Sequence, residues 1–157
     1  MMGKLLFYIA RLKMLGTFVG LAFAYFPFLI PIKKISQNAN AVAFFHPAPS
    51  YPNHVLIIPR RVAQTVFNLS VNDFKEVIKM AEKIRGDNDT LLINGGSRQD
   101  VMQAHFHLFL GSKNFENKNP PIKNFLESFD ISELASKKAF SILIRFKKDG
   151  SQSIYFI

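Results

Sequence analysis

The sequence predicts a small α+β domain with one main amphipathic helix, preceded by a single N-terminal transmembrane helix. Three observations support this fold class. Residues 14–32 contain no charged side chain, which is typical of a membrane-spanning helix. Residues 70–86 place apolar side chains at helical spacing. The other apolar segments are short and are bounded by proline, glycine or asparagine, which indicates strands joined by turns.

The charge-free segment 14–32 is flanked by basic residues that suit lipid headgroups. Lys13 precedes it, and Lys33 and Lys34 follow it. A cleaved signal peptide with a site at residues 39–41 is one alternative, and a buried N-terminal helix of the globular fold is another. Because the two lysines separate the apolar segment from the cleavage site, we favour an uncleaved single-pass anchor. This implies a membrane localisation, with the side of the membrane left open.

The composition of the chain narrows the classes of function. It has 157 residues, no cysteine and a formal net charge of +9. The absence of cysteine excludes disulfide bonds and thiolate zinc sites. Five of the net positive charges precede Ile35, and the rest of the chain carries a surplus of four. This mild surplus suits phosphorylated ligands, and no basic run with interleaved aromatic residues predicts a nucleic-acid partner.

The elements of the globular part follow in order. A polar turn leads into a strand at Ala41–Phe45, and a proline-rich loop leads into the apolar strand His54–Pro59. The second of these strands is predicted to be central in a sheet, because it is apolar on both faces. The amphipathic helix begins at Ser70, with Asp73 at the reciprocal capping position, and ends before Gly86.

The second half of the chain is predicted to add two strands, two short helices and a hairpin. The strands are Thr90–Ile93 and Met102–Leu110, joined by a glycine-containing loop at residues 94–100. The helices are expected at Ile122–Phe129 and Ser132–Lys138, and the hairpin turns at Asp149-Gly150.

Two of the four histidines lie in the strand predicted at Met102–Leu110. Because side chains alternate in a strand, His105 and His107 are expected to share one face with Gln103 and Phe109. The opposite face is apolar and is predicted to face the core; it carries Ala104, Phe106, Leu108 and Leu110. Two adjacent imidazoles on a rigid element suit nucleophilic or metal chemistry. His46 or His54 could complete a metal set, but no carboxylate has ligand spacing, and we predict no metal site.

The order of these elements resembles the histidine-triad (HIT-like) superfamily over residues 30–111. The resemblance is carried by the strand His54–Pro59, the helix, Asn94, the glycine-containing loop and His105-Phe106-His107. It implies an antiparallel sheet, a ligand that is a nucleotide-containing small molecule or a lipid headgroup, no cofactor, and a homodimer. The motif is similar to the Gln/Asn-x-His-x-His branches, which include nucleotide phosphorylases, transferases and membrane-anchored CDP-diacylglycerol pyrophosphatases.

Two registers of the family motif fit the sequence. The first makes His105 the first motif histidine and His107 the second, which is the family's nucleophile. Asn94 then lies eleven residues before His105, a spacing similar to that in the family. The second register takes residues 99–101 as the family's Gln-x-Val and makes His105 the nucleophile, flanked by Gln103 and His107. We prefer the first register because it keeps the asparagine spacing.

In the first register, the resemblance assigns a role to each polar residue near the motif. His107 attacks an α-phosphorus, His105 contacts phosphate oxygens, and Gln103 donates to phosphate charge together with backbone N–H groups of residues 94–100. The nucleotide-binding candidates are Asn94, Ser97, Arg98 and His46.

The sequence departs from the family pattern at two positions. Phe109 stands where the third motif residue is histidine or glutamine, and an aromatic ring cannot donate to a leaving group. His46 stands where many members have an acidic residue that binds ribose hydroxyls, and a charged histidine is a poorer acceptor for them. These two departures make catalytic turnover less expected, but they do not count against the predicted fold.

The predicted function is a nucleotidyl hydrolase or transferase that attacks an α-phosphate through a covalent nucleotidyl-histidine intermediate. The anchor makes a lipid-linked nucleotide such as CDP-diacylglycerol one candidate substrate. Two alternatives stay open: hydrolysis of a soluble dinucleoside polyphosphate, and a catalytically weak nucleotide-binding adaptor at the membrane. The chain is divided into a membrane anchor at 1–32, a catalytic core at 33–112 and a C-terminal extension at 113–157.

Overall fold

The computed structural model describes residues 5, 8–9, 12, 16–26, 32–49, 51–87, 89–111 and 138–156. Within these ranges the strands form one antiparallel sheet, with helix α1 at Gly16–Tyr25, a 3-10 turn at Val66–Asn68 and helix α2 at Val71–Ile84. The strands are β1 (Lys34–Gln37), β2 (Ala41–Phe45), β3 (His54–Pro59), β4 (Thr90–Gly96), β5 (Phe106–Phe109), β6 (Ala139–Phe146) and β7 (Gln152–Phe156). Their order across the sheet is β1-β2-β3-β5-β4-β6-β7.

The elements predicted for the first half of the globular part are confirmed. β2 and β3 have the predicted bounds, and β3 is an internal strand in which every residue is buried. The hydroxyl of Ser70 accepts a hydrogen bond from the Asp73 N–H at 3.1 Å, and the Asp73 carboxylate accepts one from the Ser70 N–H. This reciprocal cap satisfies two N–H groups at the start of α2. The α+β class, with an antiparallel sheet and one main amphipathic helix, is therefore confirmed.

Helix α2 covers one face of the sheet, and His107 projects from the other. The apolar side of α2 joins the main core, which also contains the β5 residues Phe106 and Leu108. Since neighbours in a strand alternate, His107 faces away from α2. It is level with Leu56 of β3 and Leu92 of β4 in the sheet register. The sheet thus holds this histidine from both sides.

The predicted transmembrane helix is wrong. Among the residues that the structure describes, no helix is long and apolar enough to cross a membrane. Helix α1 has 10 residues, a length of about 15 Å, whereas a span needs about 20 residues. The single-pass membrane localisation and the membrane partner that rested on this helix are therefore wrong as well. The remaining parts of the predicted span, residues 14–15 and 27–31, lie outside the described residues.

The histidine strand is shorter than predicted, because β5 spans only Phe106–Phe109. Before it, the Ala104 N–H donates to the Ala63 carbonyl at 2.6 Å and the Gln103 N–H donates to the Val101 carbonyl at 2.8 Å. These bonds replace strand pairing, so Gln103 and His105 do not belong to one strand face with His107, and that prediction is wrong. Ala104 is nevertheless fully buried, as predicted for the core side.

The C-terminal hairpin is confirmed and joins the same sheet. β6 pairs with β4 along Thr90–Gly96, and β7 pairs with β6. The turn between them places Gly150 at a φ of 83°, a conformation that glycine adopts without strain. The helices predicted at 122–129 and 132–138 lie outside the described residues, apart from Lys138. The division of the chain at residues 32 and 112 stays a prediction.

Candidate active site

The structure brings all four histidines of the chain into one cluster. His46 follows β2, His54 begins β3, His105 precedes β5, and His107 lies within β5. The ring centroids of His46 and His54 are 4.4 Å apart, those of His54 and His107 are 5.1 Å apart, and those of His105 and His107 are 4.8 Å apart. The antiparallel pairing of β3 with β5 produces this clustering, since it sets the start of β3 against the end of β5.

His105 is held by a backbone carbonyl that fixes its protonation pattern. Its Nδ1 lies 2.7 Å from the Gln103 carbonyl oxygen. A carbonyl only accepts hydrogen bonds, so Nδ1 carries the proton of the neutral ring and Nε2 keeps its lone pair. The side chain is 8% exposed, and its Nε2 lies 3.8 Å from Oδ1 of Asp100. The attacking nitrogen of a histidine nucleophile requires this arrangement.

His107 is held by a second histidine rather than by the backbone. Its Nδ1 lies 2.9 Å from His54 Nε2. The His54 ring is stacked between His46 and Phe109, whose centroids lie 4.4 Å and 4.5 Å from its own. His54 Nδ1 is buried without a hydrogen-bond partner among the described residues. Because a buried N–H is left unpaired more rarely than an acceptor, we assign the proton of His54 to Nε2, which donates to His107.

Burial keeps these imidazoles uncharged near neutral pH. Burial, followed by the charges of the neighbouring histidines, lowers the pKa of His107 to about 2 and that of His54 to about 4. Burial also lowers the pKa of His105, although the Gln103 carbonyl and Asp100 oppose this shift. A neutral imidazole is the form that attacks phosphorus, so His105 and His107 both have the required charge state.

Gln103, predicted to donate to a phosphate, has its side-chain amide hydrogen-bonded to backbone groups instead. It is 1% exposed. Its side-chain N–H donates to the Arg61 carbonyl at 3.2 Å, and its side-chain oxygen accepts from the Ala63 N–H at 3.4 Å. Helix α1 contacts the same amide through Gly20, where any side chain would overlap it. The structure therefore gives Gln103 a fixed position, and with it the carbonyl that binds His105.

Asn94 and Arg98 form a second polar group, which is joined by Ser141 of β6. The Ser141 hydroxyl donates to the Asn94 side-chain oxygen at 2.7 Å and accepts from the Arg98 guanidinium at 3.1 Å. Ser97 is exposed at the tip of the same loop. The N–H groups of residues 97–99 already donate to carbonyls, two within the loop and one to Lys138. The loop was predicted to offer its N–H groups to a phosphate, but these three N–H groups are already hydrogen-bonded to carbonyls.

Three residues of this region were not predicted from the sequence as part of a phosphate site. His54 was considered only as a residue that could complete a metal set, and the pairing of β3 with β5 brings it to His107. Asp100 follows Gln99 in the second register, which offered a signal for its place near a nucleophile. Ser141 lies 47 residues from Asn94 in the chain, and no local pattern links them.

The histidines do not form a metal site in the described part of the chain. No group of three or more histidine, cysteine, aspartate or glutamate side chains there could hold a metal ion. The planes of His46 and His54 are 14° apart in a stack. Stacked rings present faces to each other, whereas a metal requires ring nitrogens that converge on one point.

Comparison with known proteins assigns the family. The HIT domain pattern matches residues 28–114, more than half of the chain. The chain belongs to the HIT-domain family. An uncharacterised HIT-like protein of Buchnera aphidicola is 30% identical over 97 residues, which are 54% of this chain and 86% of that protein. The predicted relationship to the histidine-triad superfamily is therefore confirmed.

The chain is also similar to one further protein in sequence and to one solved structure. Adenosine 5'-monophosphoramidase hnt1 of Schizosaccharomyces pombe is 29% identical over 85 residues, which are 50% of this chain. The chain spans 64% of the length of that relative. The solved structure of a histidine triad protein from Clostridium difficile has a TM-score of 0.51 and 21% identity, covering 64% of this chain and 95% of that one. At this identity the likeness concerns the fold.

Proposed function

We propose that the protein is a nucleotidyl hydrolase or transferase whose nucleophile is His105. The observation that carries this proposal is the 2.7 Å contact between His105 Nδ1 and the Gln103 carbonyl. It leaves the Nε2 lone pair available for attack and fixes the plane of the ring. His107 has no such carbonyl, because its Nδ1 is engaged by His54. The geometry therefore supports the second register of the motif over the one that the asparagine spacing favoured.

The reaction proceeds in two displacements. His105 Nε2 attacks the α-phosphorus in line, the Nε2–P bond forms, and the bond to the leaving group breaks with its electron pair. The leaving atom takes up a proton from solvent. In the second displacement, water or another acceptor forms a bond to phosphorus and releases its proton to solvent, and the electron pair of the Nε2–P bond returns to His105. No net redox change occurs.

His107 is proposed to donate a hydrogen bond to the reacting phosphoryl group. Since His54 Nε2–H donates to His107 Nδ1, the neutral His107 ring carries its own proton on Nε2. This N–H then lies on the ring edge opposite the His54 contact. In this register His107 supplies the polar group after the nucleophile, and Phe109 serves as a stacking surface for His54 instead of a defective third histidine.

Asn94, Ser141 and Arg98 support the nucleotide end of the site. The pairing of β4 with β5 sets Leu92 level with His107. Asn94 lies two residues after Leu92 on β4, so its side chain leaves the same face of the sheet as His107. Arg98 contributes a positive charge from the next loop and contacts Ser141. An amide and a guanidinium suit an α-phosphate and its ribose. His46 and Ser97 remain proposed nucleotide contacts.

A phosphoramidate is the first substrate to test, because the Schizosaccharomyces pombe relative is named an adenosine 5'-monophosphoramidase. The protein is mixed with adenosine 5'-phosphoramidate labelled at phosphorus, quenched in alkaline detergent and separated by gel. We expect protein-bound label that is lost in acid, since a nucleotidyl-imidazole is acid-labile. Protein denatured before mixing is the control and should carry no label.

The same experiment distinguishes the competing functions. Diadenosine polyphosphate and CDP-diacylglycerol, each labelled at the α-phosphorus, are run in parallel with the phosphoramidate. Label from only one of them identifies the leaving group that the site accepts. If no label forms with any of the three substrates but adenosine monophosphate binds measurably, the protein is a nucleotide-binding adaptor and the proposal of an enzyme is wrong.

Replacing Ser141 with alanine is expected to raise KM for the nucleotide about fivefold, because the lost hydroxyl bridge contributes about 1 kcal/mol to the placement of Asn94 and Arg98. The rate at saturating substrate should stay within about twofold, since Ser141 is proposed not to contact the reacting phosphorus. Steady-state kinetics measure both values. Ser153→Ala is the matched control, because Ser153 is also a buried serine of the C-terminal hairpin. Equal effects of the two substitutions would contradict a specific role for Ser141.

A further inference from the structure

Asp100 places a carboxylate beside the nitrogen that is proposed to attack phosphorus. Its Oδ1 lies 3.8 Å from His105 Nε2, and its side chain is 47% exposed while that of His105 is 8% exposed. The carboxylate is therefore more exposed to solvent than the nitrogen beside it. The mechanism above does not use Asp100, because it neither fixes the tautomer of His105 nor donates a proton to it.

We propose that Asp100 is a specificity-determining residue that selects phosphoryl groups by charge, admitting a monoanionic α-phosphate and disfavouring the dianionic phosphate of a nucleoside monophosphate. This inference rests on the proposed role of His105 as nucleophile. It names a property of the site that the family motif does not contain, because the motif specifies the histidines and not the charge beside them.

The distance places the Asp100 carboxylate beside any phosphoryl group that reacts with His105. A phosphorus in position for attack lies about 3–3.5 Å from the attacking nitrogen. Its oxygens then come within a few ångströms of Asp100. The neutral His105 ring does not cancel the negative charge of the carboxylate, so phosphate oxygens meet a like charge in a partly desolvated site. The repulsion grows with the charge on the ligand.

Substrate and product differ in this charge. The phosphorus of a phosphoramidate, a phosphodiester or an internal anhydride carries a single negative charge near neutral pH. Hydrolysis converts it into a monoester whose second ionisation has a pKa of about 6, so the released nucleotide is mainly a dianion at pH 7.5. The carboxylate therefore weakens the binding of product more than that of substrate, which favours product release.

In the covalent intermediate, the His105 ring carries a positive charge, opposite in sign to the charge of Asp100. After attack, the His105 ring holds phosphorus on Nε2 and a proton on Nδ1, and it carries a positive charge. The Asp100 carboxylate then faces a cation at the distance of an ion pair. The same side chain thus stabilises the covalent intermediate and destabilises the bound dianionic product, which favours formation of the first and release of the second.

The test compares two ligands that differ by one charge. Adenosine 5'-monophosphate and its O-methyl ester are titrated into the whole protein and into Asp100→Asn at pH 7.5, with isothermal calorimetry as the readout. We expect Asp100→Asn to tighten the monophosphate about tenfold and the methyl ester about threefold or less, given the Coulomb energies of exposed charges at this distance. Asp100→Glu should keep the wild-type discrimination. Asp87→Asn, which removes an exposed carboxylate on the turn after α2, is the control and should change neither affinity.

Each remaining outcome counts against a definite claim. Equal tightening of both ligands, or no tightening of either, overturns charge selection by Asp100 while leaving the nucleophile untouched. If the wild-type protein binds neither ligand, the nucleotide site itself fails, and the proposed function fails with it. Salt screens an exposed carboxylate, so the difference in affinity between the two ligands should shrink in 0.5 M salt. An unchanged difference would also contradict charge selection by Asp100.

Discussion

Replacing His105 with glutamine is expected to reduce turnover by about 10⁴-fold or more and to abolish the covalent label, because the nucleophile of a double-displacement reaction has no substitute. His107→Gln is expected to slow the reaction by about 10²-fold while still allowing label to form, since it removes a hydrogen-bond donor and not the attacking atom. The two side chains lie next to each other and have the same chemistry, so each variant is the matched control of the other.

The measurements are single-turnover rates and the amount of protein-bound label for each variant. Imidazole rescue sharpens the comparison, because His105→Gly leaves a cavity in which free imidazole can take the place of the missing ring. We expect imidazole to restore hydrolysis in that variant and to have no effect on His107→Gly. If label is lost in His107→Gln and persists in His105→Gln, the register that keeps the asparagine spacing is correct and His107 is the nucleophile.

The elements with strong local signals were predictable from the sequence. β3 is a run of apolar residues ended by proline, and α2 has both a capping pair and one apolar face. Such signals depend on neighbours within a few residues, so they are independent of the rest of the fold. The same holds for the hairpin at Gly150, where one turn fixes the pairing of two strands.

The transmembrane prediction failed because lack of charge does not distinguish lipid from protein as the surroundings of a helix. Helix α1 ends after 10 residues, and its Gly20 packs against the amide of Gln103. That contact joins two segments that are far apart in sequence. A hydropathy pattern contains no information about such a partner, and the lipid-linked substrate lost its supporting argument together with the anchor.

The candidate site was predictable in its residues and less so in its geometry. His105 and His107 were identified from their spacing, but spacing allowed two registers of the motif. The two registers differ in which histidine has its ring hydrogen-bonded to a backbone carbonyl. This depends on the residue at which β5 begins. The strand starts at Phe106, so the chain before it is free to turn the Gln103 carbonyl towards His105. The roles of His54 and Ser141 depend likewise on pairings between distant strands.

Acidification is expected to destabilise the fold in the range where free histidine becomes protonated. The pKa of His54 is lowered to about 4 and that of His107 to about 2 in the folded protein, chiefly by burial. In the unfolded chain both return to about 6.5. The unfolded state therefore binds more protons below pH 6.5, and the stability present at higher pH is lost as the pH falls towards the folded values. Between pH 7 and pH 5 each of these two histidines should lower the free energy of unfolding by about 2 kcal/mol.

Urea unfolding at a series of pH values measures this loss, and His54→Phe isolates the contribution of one ring. Phenylalanine preserves the stack between His46 and Phe109 but cannot take up a proton. The variant should lose about 2 kcal/mol less than the wild type between pH 7 and pH 5, whatever its stability at pH 7. A slope identical to that of the wild type would mean that His54 is accessible to protons in the folded protein. Burial in the stacked cluster would then not be what keeps His54 neutral.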